Sequence, residues 1–139
     1  MQNKSSVIKV AVDAIVFGYS KQDGVSVLLI QRKYEPYKNN WAIPGGFVLE
    51  NESLEEAVKR ELMEETGISV NYLEQLYTFG EPKRDPRQRI IAVAYFGLVK
   101  ASQYQELKAS TDAENAKWFS IKKLPALAFD HKQILQLAI

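Results

Sequence analysis

Glu61, Glu64 and Glu65 stand at i, i+3 and i+4 in the stretch SLEEAVKRELMEETG. In a helix those spacings share one face, with Cβ atoms about 5–6 Å apart. Taking about 100° per residue and Leu54 as zero, Glu61 falls at about 340°, Glu65 at about 20° and Glu64 at about 280°. Ala57, Val58 and Leu62 occupy the same arc, at about 300°, about 40° and about 80°. A surface helix ordinarily keeps its charges on the opposite side. Two carboxylates about 6 Å apart repel by roughly 3 kcal/mol at an effective dielectric of about 20. Three on a half-buried face need a partner. A hard divalent cation such as Mg²⁺ or Mn²⁺ suits them, because its preferred ligands are carboxylate oxygens. The alternative is a charged, solvated face.

The flanking residues say how such a helix would be held. Ser53 followed by Glu56 is a capping box. Thr66-Gly67 ends the helix, with Gly67 available for a left-handed backbone. Ahead of it, Trp41-Ala42-Ile43-Pro44 runs as a strand into Gly45-Gly46. Glycine there is expected to allow positive φ and a close approach of backbone to ligand.

From Gly46 to Ile68 the sequence resembles the Nudix box, G-x5-E-x7-R-E-U-x-E-E-x-G-U, where U is a bulky aliphatic residue. Gly46, Glu52, Arg60, Glu61, Leu62, Glu64, Glu65, Gly67 and Ile68 fill every defined position. Chance would produce this at one start site less than about once in a billion. The resemblance implies a hydrolase that cleaves a nucleoside diphosphate linked to another moiety, using Mg²⁺ or Mn²⁺. It implies metal ligation by Glu61, Glu64 and Glu65, with Gly46 at the metal site. Glu64 or Glu65 would hold or deprotonate the attacking water. Arg60 would fan beneath the carboxylates, and Glu52 would support the loop or contribute at its edge. Divalent ions can both neutralise phosphate charge and activate water.

The chain has 139 residues, enough for one domain with a full core, taken as residues 1–139. Its net charge of +1 gives no electrostatic reason to bind nucleic acid. With no cysteine and one histidine, His131, disulfides and thiolate metal sites are excluded and zinc is not expected. There is no apolar run long enough for a membrane span and no signal-like N-terminus, so a cytoplasmic location is the default.

Strands are expected at Val7–Phe17, Val25–Gln31, Arg89–Val99 and Ala116–Ser120, with extended chain over Val70–Phe79. The first two strands flank the turn residues Lys21-Gln22-Asp23-Gly24 and should form a hairpin. Ile121–Leu127 reads as a turn with a short helix around Pro125, and His131–Ala138 has helical spacing. This pattern is α/β. The resemblance implies the Nudix fold, an α/β/α sandwich with a mixed sheet between helices.

Outside the box, Asp112 and Glu114 in ASTDAENA and Glu81 are candidate ligands or bases; solvated loop acids are the alternative. The segment GEPKRDPRQR carries Arg84, Arg87 and Arg89, suited to bidentate contacts with phosphate or carboxylate. With the strand after it, this segment resembles the substrate loop of ADP-ribose pyrophosphatases and of Nudix-related regulators of NAD metabolism. Arg32 resembles a family arginine near the substrate phosphates, and Gly45 and Gly46 join the substrate-binding set. Tyr34, Tyr37, Tyr77 and Phe79 could stack on adenine, although aromatics so placed usually serve the core. The segment LAFDH resembles both groups too; a histidine opening a terminal helix is more often structural than catalytic.

Two classes stay open. One is a metal-dependent pyrophosphatase cleaving ADP-ribose to AMP and ribose 5-phosphate, or a similar nucleoside diphosphate sugar to AMP and its sugar phosphate, expected as a homodimer. The other is the non-catalytic ADP-ribose-sensing domain of a transcriptional regulator, which would need a winged-helix domain beyond Ile139. A hydrolase of oxidised nucleoside triphosphates fits the box but not the arginine loop.

Overall fold

The computed structural model describes residues 7–22, 24–100 and 113–139. β1 (Lys9–Ser20) is the centre of the architecture. Its side chains alternate between two apolar layers, as a strand's must. Val12, Ala14 and Val16 pack in one layer and Ile15 in the other, with Phe17 beside it. Burial on both faces explains the nearly continuous apolar sequence.

β6 (Ile90–Lys100) lies parallel to β1 along its whole length, from Lys9↔Ile90 to Tyr19↔Lys100. A parallel pair needs a long crossover, and here it includes α1 (Leu54–Thr66). β5 (Glu74–Phe79) runs antiparallel to β6 at the sheet edge. β2 (Gly24–Arg32) forms the expected antiparallel hairpin with β1, and β7 (Ala113–Ser120) covers the other side of β2. The sheet is therefore mixed. α1 contributes Ala57, Val58 and Leu62 to one layer. α2 (His131–Ala138) contributes Ile134 and Leu135 to the other. The two helices thus cover opposite faces.

β1 and β2 pair only between Phe17–Ser20 and Gly24–Val27. Beyond that point they part. β2 takes β3 (Trp41–Ala42) at Ile30 and Gln31, while β1 takes β4 (Gly45–Phe47) at Ala11–Asp13. Ile43 and Pro44 carry the chain across this fork, and the Pro44 carbonyl accepts the Ala14 N–H at 2.8 Å. Asp13 and Arg32 therefore lie on separate arms and both line the cavity between them.

α1 is capped as expected. Ser53 Oγ accepts the Glu56 N–H, and Glu56 Oε1 accepts the Ser53 N–H. Such a cap contributes about 0.5–2 kcal/mol. Gly67 ends the helix at φ 76°, its N–H donating to the Met63 carbonyl.

Several boundaries differ from the sequence reading. β1 starts two residues later than expected and ends at Ser20, because both β2 and β6 continue to pair with it there. Only Glu74–Phe79 of the extended segment is strand, and β7 begins at Ala113. No helix forms around Pro125; instead Leu127 bridges to Trp41.

Candidate active site

The buried face of α1 carries two of the three acids. Glu61 is 7% exposed and Glu65 is 3% exposed, as their place on the apolar arc requires. The Glu64 side chain sits on the rim of that arc and is 48% exposed. Glu65 Oε1 accepts the Gly45 N–H at 2.8 Å, which ties the helix to β4.

Arg60 gathers the charges of the box. Its Nε and Nη2 donate to Glu52 at 2.9 and 2.7 Å, and its Nη1 donates to Glu64 Oε1 at 3.1 Å. Glu61 Oε1 lies 3.5 Å from Nη1, and the Phe47 carbonyl accepts from Nη2 at 3.1 Å. Glu52 also accepts the Leu49 N–H at 2.8 Å, so it braces the loop ahead of the helix. Hydrogen bonding to Glu52 raises the Arg60 guanidinium pKa, and the same bond holds the Glu52 carboxyl below its usual range.

Gly45 and Gly46 lack the positive φ expected of them. Positive φ among the described glycines occurs at Gly24 and Gly67 only. At Gly46 a Cβ would collide with the Glu61 carboxylate; at Gly45 it would collide with the Val12 carbonyl and Asp13. The glycines leave room for buried acids rather than for an unusual turn.

Beside Glu65 is a narrow cavity of about 100 Å³. Its walls include Asp13, Arg32, Glu65, Arg87, Phe129 and His131. Arg32 hydrogen-bonds the Pro36 and Tyr34 carbonyls and makes no ion pair among the described residues. Burial, then the neighbouring Arg87 charge, lowers its pKa. Arg87 is clamped by Asp85, at 3.0 and 2.7 Å. Burial pushes the Asp85 carboxyl up, but bonds from the Arg87 side chain and N–H outweigh it, leaving the pKa low.

The other two loop arginines are placed differently. The Arg84 side chain is 5% exposed and forms a bidentate pair with Asp130 at 2.8 and 2.6 Å. It lines the cavity, yet its fork is engaged in fastening the loop to the start of α2. Arg89 lines neither this cavity nor the larger one beside it, and its Nη1 donates to the Gly80 carbonyl at 2.8 Å.

That larger, open cavity, about 970 Å³, is lined by Tyr37, Tyr77, Phe79, Glu81, Arg84 and Phe129 among others. Tyr34, Tyr37 and Tyr77 are exposed rather than part of the core. Asp112 lies outside the described residues, and of Glu114 only its place in β7 is described.

His131 proves to be a structural tie. Its Nδ1 accepts the Ile43 N–H at 3.0 Å, joining α2 to the fork, and burial lowers its pKa to about 4. Its Nε2 lies 3.9 Å from Asp13 Oδ1. Asp13 is buried, its Oδ2 lacks a hydrogen-bond partner among the described residues, and burial raises its pKa to about 7. The sequence reading passed over Asp13; a single acid inside VAVDAIV, a strand buried on both faces, was the available signal.

The donor set suits a hard divalent cation: three carboxylates on one helix face, with Glu61 buried against Gly46 and Glu65 buried against Gly45. Among the described residues no three acidic or histidine side chains converge as they stand. Glu64 leans onto Arg60 and Glu65 onto Gly45.

The NUDIX domain family profile matches residues 7–138. The chain belongs to the NUDIX family. It is 42% identical over 127 residues to an ADP-ribose pyrophosphatase of Methanocaldococcus jannaschii, covering 91% of this chain and 70% of that protein. It is 39% identical over 131 residues to the ADPR-responsive transcriptional repressor NtrR of Acinetobacter baylyi, covering 91% of this chain and 51% of the repressor. The chain therefore spans about half of that regulator's length. The fold matches the NUDIX domain of Shewanella oneidensis NrtR in complex with ADP ribose at a TM-score of 0.88 and 36% identity, over 96% of this chain and 88% of that one. With its box intact and a pyrophosphatase relative, the chain is a Nudix pyrophosphohydrolase, related also to ADP-ribose-responsive regulator domains. No helix among the described residues is long and apolar enough to cross a membrane.

Proposed function

We propose that this Nudix domain hydrolyses the diphosphate of ADP-ribose to give AMP and ribose 5-phosphate. The observation that carries this reading is the narrow cavity itself. Its lining brings the buried Glu65 of the box helix together with Arg32 and Arg87. Carboxylates and cations in one cavity suit a diphosphate bound together with metal ions.

Glu61, Glu64 and Glu65 would hold Mg²⁺ or Mn²⁺ beside Gly46. When bound, such ions neutralise phosphate charge and lower the pKa of water. Arg60 sits against Glu61 and Glu64 and offsets their repulsion, while the Gly45 N–H holds Glu65. Glu64, open to solvent, is better placed than Glu65 to hold the attacking water, since Glu65 is engaged by the Gly45 N–H. Arg32 and Arg87 bind phosphate oxygens. The larger cavity, with Tyr77 and Phe79 packed edge to face at 5.3 Å, offers ring surfaces to the nucleoside.

The test is AMP release from ADP-ribose with Mg²⁺, beside NADH, an ADP-hexose, diadenosine polyphosphate and oxidised dGTP. Preferred cleavage of ADP-ribose supports the reading; preferred cleavage of oxidised dGTP overturns it. A second reading is an ADP-ribose sensor, favoured by the likeness to NtrR. Tight ADP-ribose binding without turnover would support that instead. The homodimer belongs to the same proposal. Size-exclusion chromatography would show twice the chain mass of 15.8 kDa.

A further inference from the structure

Phe129 sits where two cations meet. The Arg32 and Arg87 guanidinium carbons each lie 4.9 Å from the centre of its ring. Arg87 is also over the Phe47 ring at 5.4 Å. An aromatic face attracts a cation through its negative quadrupole, within about 6 Å of the centroid. Two guanidiniums sharing one ring repel each other; Asp85 pairs directly with Arg87 and acts on Arg32 only from a distance. The Pro36 and Tyr34 carbonyls hold Arg32 through Nε and Nη2, and the ring face is the contact that it shares with Arg87.

The ring is also held in place at some cost. Phe129 has φ 51°, a left-handed backbone that non-glycine residues rarely adopt. Its edge partner Tyr37, 4.9 Å away, has φ 62°. Such strain concentrates at functional sites, where the surrounding structure enforces it. Here the enforcing contacts flank Phe129 directly. The buried Ala128 donates its N–H to the Trp41 carbonyl at 2.8 Å, and Asp130 is gripped by Arg84.

We propose that Phe129 is a positioning residue that holds Arg32 and Arg87 together in the free protein, ready for the two phosphates of a diphosphate. The inference rests on the reading of the cavity as a diphosphate site. Its physical content is preorganisation: the repulsion between the guanidiniums is overcome before the ligand arrives, so less affinity is lost in ordering them.

The experiment replaces Phe129 site-specifically with mono-, di- and trifluorophenylalanine in the full chain. Fluorination weakens the ring quadrupole and keeps its shape, so a purely structural role would not respond. Binding of inorganic pyrophosphate is measured without divalent metal, and the KM and kcat for ADP-ribose are measured with Mg²⁺. Pyrophosphate Kd should rise stepwise, by about tenfold across the series, with KM rising in step and kcat falling less than KM rises. The variant Phe129→Leu should match the weakest of the series and Phe129→Trp should retain affinity. A flat Kd across the series overturns the proposal, as does a wild-type protein that does not bind pyrophosphate. If pyrophosphate binding follows ring fluorination but ADP-ribose is not cleaved, the substrate reading fails and the role of Phe129 stands.

Discussion

Gly46 packs directly against the carboxylate of Glu61, so closely that a Cβ at position 46 would overlap Glu61 Oε2. The first residue of the box is glycine because the Glu61 carboxylate fills the space a side chain would take. Gly46→Ala must therefore push Glu61 out of place. The expected outcome is at least about a hundredfold loss of turnover, because small displacements of a reacting group are that costly. Gly80→Ala is the comparison, since a Cβ there meets nothing within 4 Å. Its melting temperature should match the wild type's. Full turnover by Gly46→Ala would show that the position of Glu61 does not matter.

The three box acids should not respond alike. Glu61→Gln, Glu64→Gln and Glu65→Gln should each lower Mg²⁺-dependent turnover by about a hundredfold or more, if they organise the metal. Glu65→Gln should also disturb stability, because the Gly45 N–H loses a buried charged acceptor. Glu64 is half exposed, so Glu64→Gln should unfold at the wild-type temperature. Unchanged turnover in Glu64→Gln would remove it from the site.

Two arginines that look equivalent in sequence should separate into stability and binding. Arg84→Ala leaves Asp130 without its bidentate partner in a largely buried place. The expected loss is about 3 kcal/mol in urea unfolding, with partial recovery in the double variant Arg84→Ala/Asp130→Ala. Arg32→Ala leaves no carboxylate behind, so it should raise KM for ADP-ribose with little loss of stability. A normal unfolding midpoint for Arg84→Ala would refute the clasp between the loop and α2.

Stability between about pH 4 and pH 7 should hide two opposing terms. Burial lowers His131 from 6.5 to about 4, so the unfolded chain takes up a proton that the folded one refuses. That contribution is present above pH 6.5 and is lost as pH falls towards 4. Burial raises Asp13 from 3.8 to about 7, so the folded chain keeps a proton that the unfolded one releases. That contribution is present below pH 3.8 and is lost as pH rises through 7. Each proton is worth about 1.4 kcal/mol per pH unit where only one state binds it. Asp13→Asn removes the second term and should make unfolding free energy climb more steeply than the wild type's from pH 4.5 to 6.5. Equal slopes in urea titrations would contradict the opposed pair.

The sequence determined the elements whose signals are local. The capping box, the glycine end of α1, the Gly24 hairpin and the two-faced strand β1 depend on neighbours in the chain, so their residues announce them. The arc of Glu61 and Glu65 follows from helix geometry alone, and both are buried where that arc places them. Contacts between distant segments left no such trace. Nothing near Gly46 in sequence reveals that Glu61 will press on it, and four basic residues in one loop give no hint that Arg84 turns to Asp130. Asp13, Phe129 and His131 acquire their surroundings only when β1 and β2 part and α2 docks across the fork. Tertiary structure decided which arginines face the acids, because burial and ion pairing depend on which charges folding brings within a few ångströms of each other.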